Sequence, residues 1–277
     1  MDLPRRTILL GALSAGMSGI LTSPVRAGPG LVGPLKQGGL IIGRLEGEGT
    51  VALDDKPLRL SKNRYFAFGF GRDQGKEALL SVTWVDGKVE RIPLAIEQRE
   101  YQVQKIDGLP DAMVTPPAEV LARIKRDNAL IGAARARDTE AEWFVQGLDW
   151  PLRGPISGVY GSQRILNGEP RRPHFGVDIA APEGSDIHAP MDAIVAMAEP
   201  DLYYTGATAI LDHGHGISTS YLHMSRMDVK VGDRLARGDV LGAVGKTGRA
   251  TGPHLCWRLN WFQERLDPQL AAGPMPS

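Results

Sequence analysis

The 34 glycines and 20 prolines of this 277-residue chain are spread along its length rather than gathered in one region. Glycine reaches turn conformations closed to other residues and proline cannot donate to a ladder, so such punctuation suits many short strands joined by turns. A mainly β protein is expected. The length allows one large or two modest domains, and an apolar content of 42% is ordinary for a chain that buries a core. Lys plus Arg and Asp plus Glu both total 32, so no overall field draws the chain toward nucleic acid or an anionic membrane, and no nucleic-acid partner is expected.

The N-terminus departs from this pattern. Arg5 and Arg6 precede an uncharged stretch over residues 7–21, and Val25-Arg26-Ala27 then offers a small-residue cleavage site. Residues 1–27 read as an export signal. Its apolar stretch, diluted by glycine and serine, falls short of the roughly 20 residues a spanning helix needs, so no stable membrane span is expected. Arg5-Arg6-Thr7-Ile8-Leu9 resembles a twin-arginine signal in which Ile8 replaces the usual aromatic. Export implies an oxidising compartment, yet Cys256 is the chain's one cysteine and no intrachain disulfide can form.

Residues 28–108 carry short β-branched and aromatic runs: 40–42, 50–53, 65–68, 78–85, 89–94 and 101–106. Asp86-Gly87 between two of them predicts a type I′ hairpin, with positive φ at both central positions. A β-sandwich-like or immunoglobulin-like accessory domain is expected here. It has no catalytic constellation, since no histidine precedes position 174, which leaves binding, positioning or plain packing as its role. Residues 109–149 read as a helical linker, with Thr115 as N-cap, Pro116 and Pro117 in the first turn, and Val120, Leu121, Ile124 and Ile131 at near-helical spacing up to about Ala136. Residues 150–277 return to Gly-rich β segments and contain all six histidines.

Three stretches of this last region carry chemistry. In 173–182 the alternation argues extended chain, placing His174, Gly176 and Asp178 on one face and Phe175, Val177 and Ile179 on the other. A flat strand would separate His174 from Asp178 by roughly 13 Å, so Gly176 must permit a bend if both are to reach one ion. In 252–259, His254 and Cys256 share a face opposite Leu255, Trp257 and Leu259. Between them, Asp212-His213-Gly214-His215-Gly216 feeds a strand that ends at His223. Histidine, carboxylate and thiolate are all ordinary zinc ligands.

Together, H-x-x-x-D, an internal Y-x-H and a late G-P-H-x-C resemble the lysostaphin-type, or LytM-like, zinc metalloendopeptidases, over a segment of about 150–270. The flanks fit as well: Gly158-Val159-Tyr160-Gly161, Ala189-Pro190, Val231-Gly232-Asp233 and 237–242. The resemblance implies a C-terminal β-sheet peptidase domain whose groove holds Zn2+ through His174, Asp178 and the position of Cys256. It makes His223 and His254 the catalytic histidines that assist the attacking water. The family's usual third ligand is a histidine, so this chain is a cysteine variant. The implied activity is hydrolysis of the peptide cross-links of bacterial peptidoglycan, with peptide stems as substrate and the periplasm or another part of the cell envelope as location.

The cysteine leaves two readings open. As a thiolate ligand it would bring the site's net charge from +1 to zero and weaken it as a Lewis acid. As a small buried hydrophobe it would leave the site inactive or its ligand supplied from elsewhere, with His213 and His215 as fallbacks. The second reading makes the chain a LytM-like envelope protein that binds or activates another cell-wall hydrolase. A lipoyl-carrier reading of the V-x-x-G-D and G-D-V-L-G elements fails because Lys246 lacks the expected hairpin context. Tyr204 and Arg164 fall near the groove by position alone.

Overall fold

The computed structural model describes residues 29–276; the export signal expected over 1–27 lies outside the described residues. In the front half, Leu40–Arg44 pairs antiparallel with Gly30–Val32 and Tyr65–Gly69. A second sheet orders Lys56–Leu58, Gly49–Leu53, Glu77–Trp84 and Val89–Ala95. Alternation turns Ile41, Phe66 and Phe68 of the first sheet and Val51, Leu80 and Val82 of the second into one shared core. The sandwich-like pair expected from the sequence is present.

Three local expectations are corrected. The Asp86-Gly87 hairpin forms, but among its loop residues only Gly87 has positive φ, at 83°. Gly87 N–H donates to Trp84 O and Trp84 N–H to Lys88 O, both at 2.9 Å, which makes a type I turn closed by a left-handed glycine rather than a type I′ turn. Asp86 keeps a right-handed conformation in which its carboxylate accepts the Lys88 N–H at 3.1 Å. The linker helix spans Ala118–Arg135 with Pro117 as its N-cap; Thr115 instead closes a one-turn helix, Asp111–Val114, because Pro116 and Pro117 hold the chain extended between the two. The run over 101–106 yields the strand Val103–Ile106, which leaves the front sheets and pairs in parallel with Gln163–Leu166.

The C-terminal region is built on an antiparallel sheet ordered Arg234–Leu235, Ala193–Leu202, Gly206–Asp212, Ile217–Met224, His254–Trp261, Val177–Ala180, Ile156–Gly158. One face buries Val177, Ile179, Leu211, Tyr221, Leu255, Trp257 and Leu259 in the main core. The opposite face carries Asp178 and Cys256, and one end of it is covered by the linker helix through Ala134 packed with Met197, Leu202 and Ile210. None of the helices among the described residues is long and apolar enough to cross a membrane.

His213 belongs to the packing of this sheet. Its Nδ1–H donates to Asp192 O at 2.9 Å and its Nε2 meets the Thr219 hydroxyl at 2.8 Å. Burial lowers its pKa to about 4, below the unfolded value of about 6.5. As pH falls through that interval the unfolded chain takes up a proton that the folded chain refuses, so stability is lost on acidification. This residue accounts for about 3 kcal/mol of that loss by pH ~4. Urea unfolding at about pH 7 and about pH 4.5 should show the drop, and His213→Gln should flatten it.

Candidate metal centre

Strand pairing brings the donors together. Asp178 lies opposite Cys256, and Cys256 opposite Leu222, so the carboxylate and the thiol share one row of the sheet. His174 lies ahead of the strand, which begins at Val177, and the chain bends at Gly176. A Cβ there would stand 2.6 Å from Trp257 O and 2.8 Å from Arg258 Cγ, so only glycine lets the bend close over the neighbouring strand. In place of the roughly 13 Å between backbones that a flat strand would impose, the bend lets the side-chain tips meet, with His174 Nε2 3.0 Å from Asp178 Oδ1.

The Nδ1–H of His174 donates to Val159 O at 3.3 Å, which leaves a lone pair on Nε2 facing Oδ1. That Nε2 also lies 3.4 Å from Cys256 Sγ. Oδ1 is a buried acceptor with no hydrogen-bond partner, and the three ligand atoms all lie within 4.8 Å of one another. With the proton on Nδ1 these lone pairs turn on one another, an arrangement that a bound cation would stabilise. Zinc bond lengths of about 2.0–2.3 Å give tetrahedral edges of about 3.3–3.6 Å, close to the two separations from His174 Nε2 of 3.0 and 3.4 Å. The donor set fits zinc.

His223 and His254 flank these donors, their ring centroids 4.8 Å apart. His254 gives its Nδ1–H to Gly252 O and His223 to Thr247 O, both at 2.8 Å, so each ring turns Nε2 away from its anchor. His254 Nε2 stands 3.8 Å from Asp178 Oδ1. Plain alternation would point His223 away from the face that carries Leu222 and Cys256. A register shift opposite Ala207 and Ala209 marks a bulge at this point, and His223 takes a left-handed φ of 66°. The bulge re-aims the ring into the groove.

Electrostatics follow from burial and neighbours. Burial opposes charge on Asp178, but His174, Arg164 and His254 outweigh it and hold the carboxyl well below its usual range. Desolvation lowers His174 despite Asp178 beside it, and desolvation with His254 nearby brings His223 to about 4, so both rings are neutral near pH 7. Burial pushes the Cys256 thiol up to about 12; metal ligation is what removes such a proton.

Arg164, placed near the groove by position alone, donates from Nη2 to Asp178 Oδ2 at 2.8 Å, and Tyr204 also lines the groove. Arg249 and Arg258 on the same wall are not among the residues expected from the sequence, nor are Gln104, Ile106 and Leu109 from ahead of the peptidase region. Alternation with Cys256 points to Arg258; nothing local in the sequence marks the others. The fallback ligands do not reach the site. His213 is engaged in the core, and His215 lies against the Phe144 ring at 4.9 Å between centroids. His188 gives its Nδ1 to Gly238 O at 2.9 Å, at the surface.

Residues 172–268 match the sequence profile of peptidase family M23. A solved structure from Pseudomonas aeruginosa, assigned to peptidase M23, is 30% identical with a TM-score of 0.66, covering 86% of this chain and 95% of that one. The chain belongs to peptidase family M23. This M23 chain is also 38% identical over 120 residues to the peptidoglycan DD-endopeptidase ShyA of Vibrio cholerae, covering 40% of the chain and 28% of the relative. It is 30% identical to the lysostaphin catalytic domain of Staphylococcus simulans, covering 38% of the chain and 79% of that domain with a TM-score of 0.35. It spans under a third of the length of the curated relatives it matches.

Proposed function

We propose that this M23 chain is an exported zinc-dependent endopeptidase that hydrolyses the peptide cross-links of bacterial peptidoglycan, acting in the periplasm or elsewhere in the cell envelope. The observation that carries the reading is the convergence of His174 Nε2, Asp178 Oδ1 and Cys256 Sγ within 4.8 Å, in a groove that two further histidines line. Zinc held there supplies Lewis acidity, lowering the pKa of water toward neutrality and polarising the scissile carbonyl. His223 and His254, each with its Nδ1–H held by a backbone carbonyl, turn Nε2 to the groove, where they move the proton of the attacking water and steady the developing oxyanion. Arg164 fixes Asp178 through Oδ2 and leaves Oδ1 for the metal. The names of relatives that act on peptidoglycan support the substrate, and the sequence of residues 1–27 supports export. Residues 28–108 are read as an accessory β domain and 109–149 as a linker. Between them they contribute Gln104, Ile106 and Leu109 to the groove wall, so the front half helps to shape what enters.

Protein lacking residues 1–27 should convert cross-linked muropeptides of purified sacculi to monomers. Phenanthroline should stop the reaction and added zinc restore it. Stoichiometric zinc without any release from sacculi would sink the endopeptidase reading.

A further inference from the structure

The face that carries Asp178 and Cys256 continues beneath the Ala118–Arg135 helix as a polar patch that the metal centre does not use. Strand pairing lays it out: Ser220 lies opposite Arg258, Ser218 opposite Asn260, and Asn260 opposite Arg265. Arg135, in the last helical turn, is held over it. Ala134 packs on Met197 and Ile210, and Gln263 Nε2 donates to Gly132 O at 3.1 Å.

Several polar atoms of this patch are buried without partners, Asn260 Oδ1 among them, while Asn260 Nδ2 donates to Glu264 O at 3.1 Å. Arg135 is 4% exposed, Ser218 3%, Ser220 1% and Asn260 0%. The Nε atoms of Arg135 and Arg258, Nη1 of Arg265 and both serine hydroxyls are buried with no hydrogen-bond partner among the described residues. Arg258 also reaches the Cys256 sulfur, and Arg265 lies over the Phe175 ring at 5.9 Å. Exposed Glu264 acts electrostatically on Arg265, but none of the three guanidinium groups forms an ion pair among the described residues. Burial, with Arg265 and Arg258 beside it, drags Arg135 down to about 8. Arginine does not resolve such a conflict by losing its proton. A buried Arg135 with two half-buried arginines beside it is stabilised by an opposite charge among them, and donors of this kind suit an acceptor-only oxyanion.

We propose that this patch binds a small oxyanion, clasped by Arg135, Arg258, Arg265, Ser218 and Ser220, and that the anion fastens the linker helix to the sheet behind the metal groove. The chemistry is shared by a free inorganic anion and by a peptide carboxylate reaching in from the groove, which Arg258 also lines. The inference does not depend on the peptidase reading.

Thermal unfolding of the metal-loaded protein tests it. In one arm sodium phosphate replaces sodium chloride at constant ionic strength; in the other, N-acetyl-D-alanyl-D-alanine is compared with its C-terminal amide. The wild type should show a saturable rise in Tm of about 2–4 °C that is absent from Arg135→Leu. The Ser218→Ala, Ser220→Ala double variant should need about tenfold more phosphate for half the effect. Phosphate also stabilises proteins through exclusion from their surfaces, so a non-saturating rise shared by wild type and variants overturns the proposal, as does no rise. A saturable response to phosphate supports it with a free anion as occupant; a response confined to the carboxylate peptide supports it with a ligand carboxylate.

Discussion

Cys256→Ala should leave the purified protein without zinc and without activity on sacculi. The substitution removes one of three donors that meet within 4.8 Å, and the affinity lost should exceed the about 10–100-fold that removal of an outer-shell partner costs. Fold stability should change little, because Cys256 contributes little bulk and the core contacts of its strand are made on the other face by Leu255, Trp257 and Leu259. Cys256→His should bind zinc again and turn over faster than the wild type, since an imidazole in place of a thiolate raises the site's net charge from zero to +1. Metal per chain by atomic emission, with muropeptide release alongside, checks both. Full zinc in Cys256→Ala would remove the cysteine from the ligand set.

His223→Ala and His254→Ala should behave differently: zinc retained, kcat lower by about 10²–10⁴-fold, the range for loss of a positioned proton-transfer group. Both rings are anchored through Nδ1 to backbone carbonyls, so removing one leaves the ligand atoms where they were. His223 has a further signature. Its φ of 66° is a conformation that a residue with a Cβ holds at a cost of about 1–3 kcal/mol, so His223→Gly should melt above His223→Ala while remaining as inactive. Loss of zinc from His223→Ala together with its retention in Cys256→Ala would exchange the two roles.

The candidate ligands are legible in the amino-acid sequence because metal chemistry restricts residue type and alternation restricts face. His254 with Cys256, and Leu255 with Trp257 and Leu259, fall on opposite sides of their strand as the period of two requires. Gly176 is legible as a bend, since a straight segment cannot bring His174 to Asp178. The front strands are legible for the same reason, each being a short apolar run bounded by turn residues. The Thr115 cap fails because two prolines after it hold the chain out of the helix, and the type I′ turn fails because the Asp86 side chain satisfies a neighbouring amide in the commoner geometry.

The amino-acid sequence determined the family, the mainly β character and the candidate donors, because these depend on residue type and on spacing along one strand. The aim of His223 depended on a bulge opposite a neighbouring strand, and the Arg164 grip on Asp178 joined two separate strands. The groove wall came from Val103–Ile106 pairing across 60 residues with Gln163–Leu166, and Arg135 met Arg258 and Arg265 only when the helix closed over the sheet. Each of these is a contact between segments remote in the chain, set by register and burial, and local pattern carries no information about either.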